Sequence, residues 1–141
     1  MADIQHRIII EAAPSTVFAA LVEPKQLSQW WTDAKSIAGD SQIRFTFGGN
    51  HQTDMEVVSV TAPSFVAWQC TEGPWQNTGH FEFDLQPDER GTVLKFDHKG
   101  WPDADDFFRH CNSKWGFFLA VSLKSYLETG KGLPSPNDPA I

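Results

Sequence analysis

Five histidines, two cysteines and eighteen carboxylates are the side chains of this sequence able to do acid–base, nucleophilic or metal chemistry. Among them His98 is the best base candidate. It follows Leu94 and Phe96 at strand spacing, which puts all three on one face. His110 stands beside Cys111 in a stretch of helical period, and Glu56 is a candidate acidic partner whose facing the pattern leaves open. A His–carboxylate pair can move protons on a bound molecule. A histidine at a cavity mouth is more often a hydrogen-bonding residue than a catalyst, so no catalytic residue is assigned.

Metal and phosphate chemistry find less support. His6, His51, His80, His98 and His110 show no H-x-x-x-H pairing, and Cys70 and Cys111 stand alone. The two cysteines read as small buried thiols in a reducing compartment. Gly48-Gly49-Asn50 joins two strands, and Gly130-Lys131-Gly132 lacks the strand–loop–helix frame of a phosphate loop. Asp103 reads as a helix N-cap, with Asp105 and Asp106 in the first turn, rather than as the start of a calcium loop. No metal and no cofactor are expected.

Eleven basic against eighteen acidic residues leave a formal charge of −7, and the Lys and Arg residues are scattered. Such a surface repels phosphate, which argues against nucleic acid and anionic membrane as partners. No apolar run reaches the roughly eighteen residues of a membrane span. The start, Met1 to Arg7, lacks the pattern of a secretory signal, so a cytoplasmic location is expected. The 141 residues suit a single domain, 1–141, able to bury roughly two-thirds of its unfolded surface.

The elements that must position these groups follow from hydrophobic period. Ile4 to Glu11 is β-branched and reads as a strand. Pro14 suits the first turn of a helix carrying Val17, Phe18, Leu21 and Val22, which Pro24 stops. Lys25 to Trp31 reads as a second short helix. From residue 42 the period is two, giving strands at 42–47, Thr53–Thr61, Phe65–Thr71, Gly79–Leu85 and Thr92–Gly100, with turns between them. Phe81, Phe83 and Leu85 share one face, opposite His80, Glu82 and Asp84. A long helix runs from the Asp103 cap to about Thr129, with Phe108, Cys111, Trp115, Phe118 and Ser122 on one side and Gly130 as its stop. Lys114, Lys124 and Glu128 can face water. The Pro-rich tail after Leu133 should be only loosely ordered.

Strand, two short helices, five or six strands and a long helix describe an α+β domain. Its twisted antiparallel sheet curls around the last helix. One straight helix cannot touch every part of a curved sheet, so wide side chains bridge the gap or leave it open. The chain is rich in such groups, with eleven Phe, six Trp and one Tyr. Phe45, Phe47, Trp68, Phe81, Phe83 and Phe96 come from strands, and Phe108, Trp115 and Phe118 from the helix. Cys70, His98, Cys111 and Ser122 fall on the same faces and can orient a ligand's polar end. Trp31, Trp75 and Trp101 can guard an entrance. A mostly apolar pocket with a few placed polar groups is the usual form of a small-molecule site, although an aromatic stripe is also an ordinary way to build a core.

Three segments resemble a known family. Ile10-Glu11-Ala12-Ala13-Pro14-Ser15-Thr16-Val17-Phe18 is similar to the opening motif of the START-like superfamily, also called SRPBCC or helix-grip proteins. Gln29-Trp30-Trp31 resembles the end of its second helix, and Trp115 through Tyr126-Leu127-Glu128-Thr129-Gly130 its closing helix. Within the superfamily the chain looks most like the branch named after the activator of a heat-shock chaperone ATPase, which also holds polyketide cyclase-like proteins. The resemblance implies about seven antiparallel strands wrapped around the C-terminal helix, with a cavity between them. It also implies one of three functions, because fold does not choose among them. The leading expectation is binding of a small apolar or aromatic molecule. The others are docking to a chaperone protein and cyclase-like catalysis on a polyketide, with His98 as base.

Overall fold

The computed structural model describes residues 2–39, 41–76, 78 and 80–141. The strands are β1 (Ala2–Ile10), β2 (Asp33–Ala38), β3 (Gln42–Phe47), β4 (His51–Thr61), β5 (Phe65–Glu72), β6 (His80–Asp88) and β7 (Gly91–Trp101). Helices α1 (Pro14–Val22) and α2 (Pro24–Trp30) follow β1. The terminal helix is continuous through three segments: α3 (Asp106–Phe117), a π-helical stretch (Phe118–Leu123) and α4 (Lys124–Thr129). Gly79, where the alternation of β6 begins in the sequence, lies outside the described residues.

The strands form one antiparallel sheet in the order β1-β7-β6-β5-β4-β3-β2. Because β1 pairs with the last strand, the meander from β2 to β7 closes back on the chain's start. This is the helix-grip architecture. Cross-strand register sets large rings opposite one another, with Trp68 facing Phe81 and Phe83 facing Phe96. Directly opposed rings of this kind are the unit of sheet stabilisation. Register shifts in the β4–β5 pairing, between Asp54 and Met55 and between Val57 and Ser59, are the irregularities that bend a sheet.

Both short helices begin on a proline, whose missing N–H costs nothing in the first turn. Pro24 therefore opens α2 as well as ending α1. Their inner faces are pinned by buried indoles: Trp30 Nε1 donates to the Ala20 carbonyl at 2.8 Å, and Trp68 Nε1 to that of Leu21 at 3.2 Å. Strand β2 has no apolar alternation, and of its residues only Ala34 is buried. It is held by pairing with β3, Ala34 lying opposite Phe45.

Two expectations are corrected at the terminal helix. The N-cap is Asp105, not Asp103; its carboxylate accepts from the Phe108 N–H at 2.9 Å. Asp105 also lies close enough to the first turn for its charge to meet the helix dipole. The tail is anchored rather than loose. Leu133 N–H donates to Ser122 Oγ at 2.8 Å, Ser135 N–H donates to the Trp31 carbonyl at 2.7 Å, and Lys114 Nζ donates to Asp138 at 2.7 Å. Gly130 does end the helix in the left-handed conformation expected of it. No described helix is long and apolar enough to cross a membrane.

Candidate functional site

Trp31 ends α2 at the centre of an aromatic cluster. Its ring centroid lies 4.5 Å from Phe45, 5.4 Å from Phe47, 5.5 Å from Trp68, 5.0 Å from Trp115 and 6.3 Å from Trp75. Spacings of this range are those of attractive tilted, stacked and edge-on pairs. The cluster joins five parts of the chain that hydrophobic period alone leaves separate: the end of α2, β3, β5, the loop after β5 and the terminal helix.

Beside this cluster opens a cavity of about 860 Å³. Trp31, Trp75, Cys111, Trp115 and Phe118 are buried and form its floor, with half-buried Phe47 at the edge. Exposed Asn50, His51 and Gln52 from the hairpin, Pro74 from the loop, and Phe107 and His110 from α3 make its mouth. Thr53, Lys114, Ser135 and Asp138 complete the wall. The volume lies within the range of small-molecule sites.

The local geometry of the loop is set at Gly73. Its φ of +124° is one that side chains rarely adopt, and an added Cβ would meet the Thr53 hydroxyl. Only glycine lets the backbone pass this close to β4, two residues before Trp75 joins the floor.

The predicted site residues divide into two groups. Trp31, Phe47, Trp75, Cys111, Trp115 and Phe118 line the cavity. Phe45, Trp68, Phe81, Phe83 and Phe96 are buried against one another between sheet and helix and do not line it. Cys70 is buried with its thiol on the Glu72 carbonyl at 3.4 Å. Trp101 packs behind Phe107 and on half-buried Phe108 and does not itself line the cavity. Ser122 is a structural clamp: its hydroxyl donates to the Trp30 carbonyl at 2.6 Å and accepts from Leu133 N–H. Among the described residues the rings between sheet and helix pack against one another, and the cavity lies beside them rather than among them.

His98 is fully buried, with Phe81 tilted against it at 3.9 Å, Trp75 edge-on at 6.1 Å and Trp101 at 4.9 Å. Its Nε2 lies 3.2 Å from the Thr78 hydroxyl, and Nδ1 has no partner among the described residues. Burial pushes its pKa down from 6.5 to about 3, so the ring is neutral at physiological pH. It does not line the cavity, which corrects its expected place at the mouth. Glu56, its candidate partner, lies on β4 opposite Gln42 and Gln69.

Burial also pushes the Cys111 thiol up to about 11, and raises that of Cys70. A thiol so shifted is a poor nucleophile. No group of three or more His, Cys, Asp or Glu able to hold a metal occurs among the described residues.

Sequence reading missed the hairpin residues His51, Gln52 and Thr53, and it turned Lys114 toward water. A signal was available in the helix: His110, Cys111, Lys114 and Trp115 recur at spacings of three and four, one continuous face. Nothing in the sequence pattern points to Ser135 or Asp138, which reach the site from the tail.

The comparisons with known proteins agree with this architecture. Residues 11–128 match the sequence profile of the family described as Activator of Hsp90 ATPase homolog 1-like protein. The solution structure of the Aha1 dimer from Colwellia psychrerythraea is 38% identical, with a TM-score of 0.82, over 94% of this chain and 100% of that one. SSP2350 from Staphylococcus saprophyticus is 20% identical, with a TM-score of 0.76, over 95% and 98%. CalU16 from Micromonospora echinospora is 16% identical, with a TM-score of 0.64, over 98% and 75%. At the last two identities the likeness is one of fold. No curated protein sequence matches this chain. Because the profile spans most of the chain and the Colwellia protein aligns nearly end to end, the chain belongs to the Activator of Hsp90 ATPase homolog 1-like family.

Proposed function

We propose that this protein binds a small aromatic or otherwise apolar molecule at the open end of its helix grip. The observation that carries this reading is the cavity of about 860 Å³, whose floor is Trp31, Trp75, Trp115 and Phe118. Each ring face covered by a ligand contributes on the order of 1–2 kcal/mol from apolar area removed from water. No cofactor enters this reading. With its two cysteines free and buried, the protein suits a reducing cytoplasm. Native mass spectrometry of the purified protein tests the proposal, together with quenching of tryptophan emission by flavonoids, fatty acids and sterols. A co-purified mass or a saturable titration supports it, and an unliganded protein with flat titrations across the panel defeats it.

A second reading is a chaperone-binding module, favoured by the family match itself. It needs an exposed contact surface rather than a hollow one. Binding of the purified protein to purified Hsp90, with a change in ATP turnover, tests it independently of any small molecule. Cyclase-like catalysis has less behind it, because His98 is walled off from the cavity by packed rings. Turnover unchanged in His98→Ala removes that residue from any mechanism.

A further inference from the structure

We propose that the cavity contains an anion subsite at Lys114, occupied in this structure by the chain's own Asp138, and that its ligands are flat aromatic acids whose acidic group takes that carboxylate's place. The inference rests on the ligand-binding reading above and adds the ligand's chemical class.

Charge is the first ground. The chain carries −7 overall, yet Asp138 is the only carboxylate among the described residues lining the cavity. The other ionisable groups there, apart from the Cys111 thiol, are basic in type: Lys114, His51 and His110. With Lys114 and Asp138 cancelling, the lining is about neutral where the chain as a whole is negative, and displacing Asp138 leaves Lys114 as its one fixed charge, which favours an anionic guest.

The second ground is the pair itself. Lys114 Nζ donates to Asp138 Oδ2 at 2.7 Å and to the Pro139 carbonyl at 2.9 Å. The two side chains are 23% and 12% exposed, so this is a covered ion pair. An apolar ligand entering beside it gains nothing from the ammonium, and one that displaced Asp138 would leave a covered charge unpaired. An acid exchanges one carboxylate for another and keeps Lys114 paired throughout.

The third ground is how the tail is held. Leu133 and Ser135 are tied to Ser122 and Trp31, whereas beyond Ser135 the hydrogen bonds to the body of the fold among the described residues are those made by Lys114. Asp138 can therefore leave without disturbing the anchors before it. Lys114 lines the same cavity as Trp31 and Trp115, so a flat acid resting on those rings shares the cavity with the ammonium.

The test uses a matched pair of fluorescent probes, anilinonaphthalene sulfonate and phenylnaphthylamine, its counterpart without the sulfonate. In Asp138→Asn the sulfonate should bind tighter than the neutral probe by about fivefold, the size of a partly covered ion pair, and in the unaltered protein, where Asp138 competes for the ammonium, by less. Lys114→Met should bring the two affinities together by weakening the sulfonate alone. Asp138→Asn, which frees the ammonium, should tighten the sulfonate severalfold and leave the neutral probe unchanged. Equal affinities in Asp138→Asn, a preference that survives Lys114→Met, or sulfonate binding no tighter in Asp138→Asn than in the unaltered protein overturns the anion subsite while the cavity reading stands. Failure of both probes to bind overturns the cavity reading and this inference with it.

Discussion

The indole of Trp31 lies 5.0 Å from that of Trp115, centroid to centroid, so the end of α2 meets the last turn of α3 through two rings. Both are about 2% exposed, and both line the cavity. Each is therefore core on one side and wall on the other. A substitution here reports on stability and binding together, and the size of the replacement separates them.

Trp31→Ala should lower unfolding free energy by about 3–5 kcal/mol, the cost of emptying a large core site. Trp31→Phe keeps an aromatic face and should lose much less, while still weakening any ligand stacked on the indole. Urea denaturation measures the first effect, and titration with the neutral probe phenylnaphthylamine the second. If both variants unfold like the unaltered protein, Trp31 is not the centre of the cluster.

Ser122 joins three segments through one hydroxyl, donating to Trp30 and accepting from Leu133. Ser122→Ala leaves a carbonyl and an N–H without this partner, a loss of about 1–3 kcal/mol. The tail should loosen more than the sheet. Hydrogen exchange at Leu133 should quicken while exchange in β6 and β7 changes little; equal quickening everywhere would show a global effect instead.

His98 makes stability depend on pH. Its folded pKa is about 3 against an ordinary 6.5, so between those values the unfolded chain takes up a proton that the folded one refuses. Its stabilising contribution is complete above about pH 6.5 and is lost as the pH falls toward 3, by at most about 1.4 kcal/mol per pH unit. His98→Gln removes this titration. The variant should be less stable than the unaltered protein near pH 7, with the gap narrowing by about pH 4.5 as the unaltered protein loses stability. A gap of constant size across that range, measured by urea midpoints, would contradict a histidine held neutral by burial.

Period and register made the large elements legible. Phe81, Phe83 and Leu85 alternate on β6, as do Leu94, Phe96 and His98 on β7, and all six are buried. Strand parity decides which face a residue occupies, and helix period did the same for Cys111, Trp115, Phe118 and Ser122. Neither says where along a face the packing stops. His98 and Phe47 both lie on inward-facing strands, yet one is sealed behind Phe81 and Trp75 and the other edges the cavity. That difference comes from the bend of the sheet away from a straight helix, which is a property of all seven strands together. Strand β2, with no alternation of its own, exists because β3 offers it hydrogen bonds. The tail's contribution is longer in range still. Asp138 meets Lys114 across twenty-four residues, and no local propensity encodes that pairing. Local sequence thus determined the elements and their inner faces, while the position and charge of the open volume were decided by long-range contacts that only the folded chain can make.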